Sequence, residues 1–272
     1  MNKTQIIIVI LGVLLVVAMY NLPKVVVDND NSEEQTFIDE SEPGGIVDHS
    51  SAIPEEALPK VEYWKSQLLV GETFQQNLEA LDSLMGVFIQ INKYDSAAYY
   101  AERYAQTFNT VSHWQKAGDA YFEAFTFALD KAKIDMLGLK ARSAYEQVLE
   151  KQPNNLDVKH NVAIITIETT SSPMKGIMML REITESDPSN EKALMSMGRL
   201  SIRTAQFDNA VQRFETLVGY YPEHMEGNFF LGVCYFETGQ NVKAKAQFEK
   251  VKTLGVSEQV LTAANEYLER IN

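Results

Sequence analysis

Apolar and polar positions divide the chain into three stretches. Residues 6–22 (IIIVILGVLLVVAMYNL) hold no charged side chain. At helical rise, seventeen residues reach roughly 25 Å, the short end for crossing a bilayer core. A segment apolar on every face at the chain terminus predicts a membrane-spanning helix or a secretory signal, not a helix of a soluble core. From Asp28 to Pro54 apolar residues are sparse, and Pro43, Gly44 and Gly45 interrupt the run. Such a stretch buries too little surface to offset its ordering entropy, so residues 23–53 are expected to form a disordered linker. From Pro54 onward the apolar positions recur at helical spacing. The last segment is SEQVLTAANEYLERI, in which Val260, Leu261, Ala264, Tyr267 and Leu268 form one stripe behind Ser257 as N-cap.

A longer period is superimposed on the helical one. Ala163, Met197 and Leu231 recur at intervals of 34 residues, as do Leu180, Phe214 and Phe248, and Gly176, Ala210 and Ala244. Pro188 and Pro222 keep the interval, and so do Gly198 and Gly232. In each unit a small residue, then Leu or an aromatic, then Pro mark a second helix and its exit. This pattern resembles the tetratricopeptide repeat, a pair of antiparallel helices whose small residues permit close packing. The clearest copy is 191–224; 225–258 follows, and 157–190 is in register. Upstream, 78–110 carries Leu84, Phe88, Tyr94, Ala97 and Tyr104 at matching offsets. Residues 111–156 carry Trp114, Ala117, Gly118, Tyr121, Ala141, Tyr145, Val148 and Pro153. The resemblance implies an all-α solenoid of about five helix pairs over 78–258. A helix within 54–77 is expected to shield its first repeat, and a capping helix over 259–272 to close it. The single transmembrane helix at 6–22 precedes the array, behind a cytoplasmic segment 1–5.

One repeat departs from the pattern. Leu194 to Ala210 is 16 residues, whereas the equivalent Trp114 to Ala141 is 27, so the second repeat carries 11 more, about three helical turns. DAYFEAFTFALDKAKIDML has no Pro or Gly before Gly138, which reads as a lengthened first helix and a lengthened second. Its apolar residues spread over several faces, which must be covered. Either neighbouring helices cover them, or the hairpin projects and docks a partner or a second copy through Phe122, Phe127, Met136 and Leu137.

Charge locates the acidity without suggesting catalysis. The formal net charge is −13, which argues against nucleic acid as a partner, because phosphate contacts need clustered Lys and Arg. Eleven of the acids lie in Asp28–Glu62 against one base, Lys60, so the repeat region is near balance. The acidic spacer should extend by self-repulsion and hold the repeats off an anionic membrane surface. DNDNSEE at Asp28 has Glu33 where a calcium loop needs Gly, so it reads as linker. The lone Cys234 forms no intramolecular disulfide, and His49, His113, His160 and His224 are scattered singly without metal-ligand spacing. No nucleophile-elbow, phosphate-loop, dinucleotide or zinc-protease motif occurs. The expectation is a binding protein and not an enzyme, with no cofactor and no small-molecule substrate.

In the resembling family the first helices line a concave wall. Its groove-facing positions map onto Gln115 and Asp119, Asn161 and Ile165, then Met195, Arg199 and Ile202, then Phe229, Val233 and Phe236. Lys192, Arg199 and Arg203 add three cations to one repeat. Chaperone-binding members clamp a peptide carboxylate with such cations and with asparagines of earlier repeats. Here Asp82 and Gly86 occupy first-repeat counterparts, so the full clamp is absent. The resemblance implies an extended peptide against Met195, Phe229 and Phe236, anchored by Arg199. Lys3 before the apolar stretch, Lys24 after it and a five-residue head favour a cytoplasmic N-terminus. The expected protein is a scaffold for protein or peptide partners, anchored in a bacterial inner membrane with its repeats outside the cytoplasm. The alternatives are a holdase near translocation or cytochrome-maturation machinery and an import receptor with a cytosolic repeat domain.

Overall fold

The structure is a computed structural model and describes residues 53–70, 74–255 and 257–271. These hold twelve α-helices and no strand. In chain order they are α1 (Leu58–Val70), α2 (Phe74–Gln90), α3 (Tyr94–Phe108), α4 (Val111–Phe127), α5 (Lys131–Lys151) and α6 (Leu156–Thr169). Then follow α7 (Pro173–Ser186), α8 (Glu191–Arg203), α9 (Phe207–Tyr220), α10 (Met225–Glu237), α11 (Asn241–Thr253) and α12 (Glu258–Ile271). Successive helices pack as antiparallel hairpins, with α2/α3, α4/α5, α6/α7, α8/α9 and α10/α11 forming the five repeats. The expected span at 6–22 and nearly all of the acidic linker lie outside the described residues. No described helix is long and apolar enough to cross a membrane.

Local chemistry sets the helix starts. Most first helices open on a side chain that accepts the backbone N–H three residues on. Thr110 takes His113, Asn155 takes Val158, Asn190 takes Ala193, and the Nδ1 of His224 takes Gly227. The helix before the spacer's end is shorter than the sequence suggested: Pro54–Ala57 is a turn, and α1 begins at Leu58. Ala57 and Val61 of this segment bury against Leu84, Val87, Phe88 and Ala97, so α1 shields the first repeat. α2 begins at Phe74, one turn before the position expected for the repeat.

The recurring small residues lie where helices touch. A Cβ on Gly118 would lie 2.6 Å from the Tyr145 ring, on Gly198 2.5 Å from Phe214 and on Gly232 2.9 Å from Phe248. Each of these three aromatics is fully buried against the opposing first helix. The third repeat reverses the exchange. Ile164 stands at the glycine position and Leu180 at the aromatic one, while Gly176 replaces the usual Ala and comes within 2.4 Å of the Ala163 carbonyl. Bulk removed from one partner is restored on the other, as dense packing requires.

The second repeat is longer in both helices. α4 has 17 residues against 13 in α8, and α5 has 21 against 14 in α9, so its 11 extra residues divide into four and seven. Both additions fall at the tip. Tyr121 donates to Glu102 at 2.5 Å while Lys140 binds Glu102, just as Tyr235 donates to Glu215 at 2.6 Å beside Lys243. The body of the repeat below the tip is therefore in register with the others. The tip leans on the first repeat: Phe127 stacks on Tyr94 at 4.4 Å, and Lys133 pairs with Asp95 at 2.8 Å. Of the four hairpin contact candidates, Leu137 is core at 1% exposure, and Phe122 and Met136 are half-buried against the same cluster. Phe127 remains 58% exposed, and neighbouring Leu129 is the most exposed large apolar residue described, at 98%.

Candidate interaction groove

The side chains on the first helices α2, α4, α6, α8 and α10 form the wall on which the expected groove residues fall. Much of its polarity is spent on holding neighbouring repeats together. Asp82 of α2 pairs with Lys116 of α4, and Asp157 of α6 with Lys192 of α8 at 2.6 Å. Glu168 of α6 pairs with Arg203 of α8 at 2.5 Å, and Glu226 of α10 with Arg199 of α8. His224, at the start of α10, meets Glu191 of α8 at 3.1 Å. The three cations read as a carboxylate clamp thus each hold an acid of an adjacent repeat. Arg199 in addition lies 5.3 Å from the Phe230 ring. These pairs are solvent-exposed and worth about 0–1 kcal/mol each, so they set register more than stability.

The apolar candidates are used in the same way. Phe229 and Phe236 approach the Tyr267 ring of α12 at 6.4 and 5.2 Å, and Arg270 of α12 lies 4.6 Å from the Phe236 ring. Met195, Ile202 and Val233 are half-buried against the same C-terminal core. Ile165, expected in the groove, is core at 1% exposure because α5 passes close to it: a Cβ on Gly138 would lie 3.1 Å from its Cγ2. The family's groove-facing positions assigned these residues to a face, but the cap and the lengthened α5 cover part of that face.

An open hollow remains at the other end of the wall. Its volume is about 670 Å3, and it is lined by Met85, Gln115, Lys116, Asp119, Glu123 and Gln152, with Val111, Ser112 and Ala120 completing the rim. Asp119 sits at the end of a hydrogen-bonded relay. Asn161 Nδ2 donates to Tyr145 Oη at 2.8 Å, and Tyr145 Oη donates to Asp119 Oδ1 at 2.7 Å. Desolvation raises the Asp119 carboxyl above the ordinary carboxylate range, and the Tyr145 hydrogen bond and the charge on Lys192 only partly counter it. Burial and the adjacent Asp119 charge raise the Tyr145 hydroxyl as well. Asn161, a groove position implied by the resemblance, spends its amide on Tyr145. The signal missed in the sequence is Tyr145 itself, whose spacing reads as core and whose hydroxyl reaches through the core to the wall.

Titratable groups elsewhere are structural. Cys234 is fully buried, which pushes its thiol up to about 12. His113 and His160 are buried near helix starts, where surface or boundary positions were expected. His160 Nε2 meets Ser196 Oγ at 2.8 Å across the seam between α6 and α8. Among the described residues no three His, Cys, Asp or Glu side chains come together as a metal site.

Comparison with known proteins agrees with the helical pairing. The tetratricopeptide repeat profile matches residues 192–224. No curated protein sequence matches the chain. Among solved structures, a tetratricopeptide repeat protein from Parabacteroides merdae superposes with a TM-score of 0.55 at 17% identity, covering 79% of this chain and 83% of that one. MamA from Desulfovibrio magneticus gives a TM-score of 0.48 at 15% identity over 65% of this chain and 93% of its own. YrrB, described as having an unusual peptide-binding site, gives 0.45 at 14% identity over 76% and 99%. The described array has the fold of a tetratricopeptide-repeat solenoid, and residues 192–224 carry the repeat's sequence profile.

Proposed function

We propose that this chain is a protein-interaction scaffold that receives an extended segment of a partner along its first helices, and that it is a binding protein and not an enzyme. The observation that carries the reading is the open hollow on the first-helix wall, about 670 Å3 of space lined by amide, carboxylate and apolar groups. The scaffold works from a membrane, with residues 6–22 as the anchor and the repeats on the extracytoplasmic side of a bacterial inner membrane. The uncharged stretch 6–22 supports the anchor, and Lys3 with the five-residue head before it supports the orientation.

Affinity purification of the full chain from detergent-solubilised membranes after crosslinking tests both parts. The expected result is release from membranes by detergent alone, with one stoichiometric partner crosslinked. Recovery of a broad set of unfolded clients instead would make the chain a holdase. Recovery in the soluble fraction of cells expressing the full chain overturns the anchor.

A further inference from the structure

We propose that the hollow between the first and second repeats seats an arginine side chain of a basic partner segment, received by the Asp119 carboxylate. This rests on the scaffold reading and adds the chemistry of the occupant.

The argument starts from a break in a pattern. Across the other junctions of first helices described above, carboxylates meet cations: Asp82 with Lys116, Asp157 with Lys192, Glu168 with Arg203 and Glu226 with Arg199. Between α4 and α6 the links described pair no carboxylate with a cation, running through the amides of Asn155 and Gln115 at 3.5 Å and through Asn161, Tyr145 and Asp119. Among the described residues Asp119 forms no ion pair. Lys116, on the same helix, is held by Asp82, and Lys192, the cation that most affects Asp119, is held by Asp157. Fully buried Tyr145 fixes one carboxylate oxygen and leaves Oδ2 for a ligand.

Asp119 also borders the open hollow on this wall, and the charge there is negative once Lys116 is committed, with Glu123 one turn further along α4. Desolvation has already raised the Asp119 carboxyl. Asp119 is solvent-exposed, and a cation arriving there meets a carboxylate that no cation among the described residues holds. Ser112, Gln115, Asp119 and Glu123 follow one another along one face of α4, a line of acceptors that a planar guanidinium can engage two at a time. Met85, Val111 and Ala120 supply an apolar wall for its stem. The space exceeds one side chain, and the amides of Gln115 and Gln152 suit the main chain of a segment, which favours a peptide over a small free polyamine.

The test uses the full chain in detergent micelles and fluorescein-labelled decapeptides of Gly, Ser and Ala, with arginine or its uncharged isostere citrulline at the centre. Binding is read by anisotropy, with spermidine as competitor. The arginine peptide should bind at least about tenfold tighter than the citrulline peptide, as a charged hydrogen bond of this kind implies. Asp119→Asn should abolish the preference, while Arg199→Ala preserves it. The proposal is overturned by equal affinity for the two peptides, by no binding of either, by a preference that survives Asp119→Asn, or by spermidine binding tighter than the arginine peptide. If the charge preference fails while a stoichiometric partner still crosslinks to the full chain, only this inference falls. Loss of the partner as well removes the scaffold reading.

Discussion

Asp119 couples its protonation to folding. Its folded pKa is raised, so the protein binds that proton more tightly when folded than when unfolded. The associated stabilisation is present below the unfolded carboxylate value and is lost as pH rises through the folded one. Asp119 is solvent-exposed, so at neutral pH the ionised group opposes folding only weakly, with Tyr145, Lys192 and Asp157 as its electrostatic neighbours. Asp119→Asn keeps an acceptor for Tyr145 Oη and removes the charge. Its melting temperature should exceed that of the parent at pH 7, and the difference should vanish toward pH 3. An unchanged or lower value at pH 7 contradicts the assigned strain. At this scale the sequence was only partly legible. The position of Asp119 on the wall followed from repeat register. Its lack of a cation did not, because that depends on Lys116 turning to Asp82 and Lys192 to Asp157, contacts 34 and 35 residues apart.

Helices and their turns were the most legible. The 11-residue excess was readable as lengthened helices, since no breaker interrupts it, but the sequence did not say which neighbour covers the tip. The stack of Phe127 on Tyr94 decides that. Turn chemistry differs between repeats in a way the structure exposes. Gly239 adopts φ +72°, and Ala205, at the same place in the preceding repeat, adopts φ +55°. Left-handed backbone costs an L-residue roughly 1 kcal/mol that glycine avoids. Ala205→Gly is therefore expected to stabilise by up to about 1 kcal/mol, less the added chain entropy of glycine, and Gly239→Ala to destabilise by a similar amount. Urea unfolding of the two variants checks both signs. Phe229 and Phe236 mark where legibility ended: the resemblance implied their face, but not that Tyr267 of the last helix would lie against it.

Across the described repeats, the 34-residue period predicted the solenoid because small residues must meet bulky ones at each hairpin. What holds one repeat to the next was less visible. One such seam titrates. His160 lies buried between the third and fourth repeats, and its pKa is lowered, first by desolvation, with Lys192 contributing and Asn161, Asp157 and a backbone hydrogen bond opposing. A depressed folded pKa gives stability that is present above the ordinary histidine value of 6.5 and lost as pH falls through the folded one. The melting temperature should therefore drop below pH 6.5, and His160→Gln should flatten that drop if this seam is its source. His113, also buried with a lowered pKa, contributes to the residual slope.

The division of the extra residues into four and seven has a further meaning. Four residues are close to one turn of helix and seven close to two. The outgoing helix thus gains about one whole turn and the returning helix about two, and both present the same faces on rejoining the stack. Growth beyond Tyr121 and before Lys140 leaves both side chains on Glu102, so a hairpin tip can lengthen without disturbing the stack. Additions of two or five residues inside the packed body of either helix would instead rotate those side chains away from Glu102.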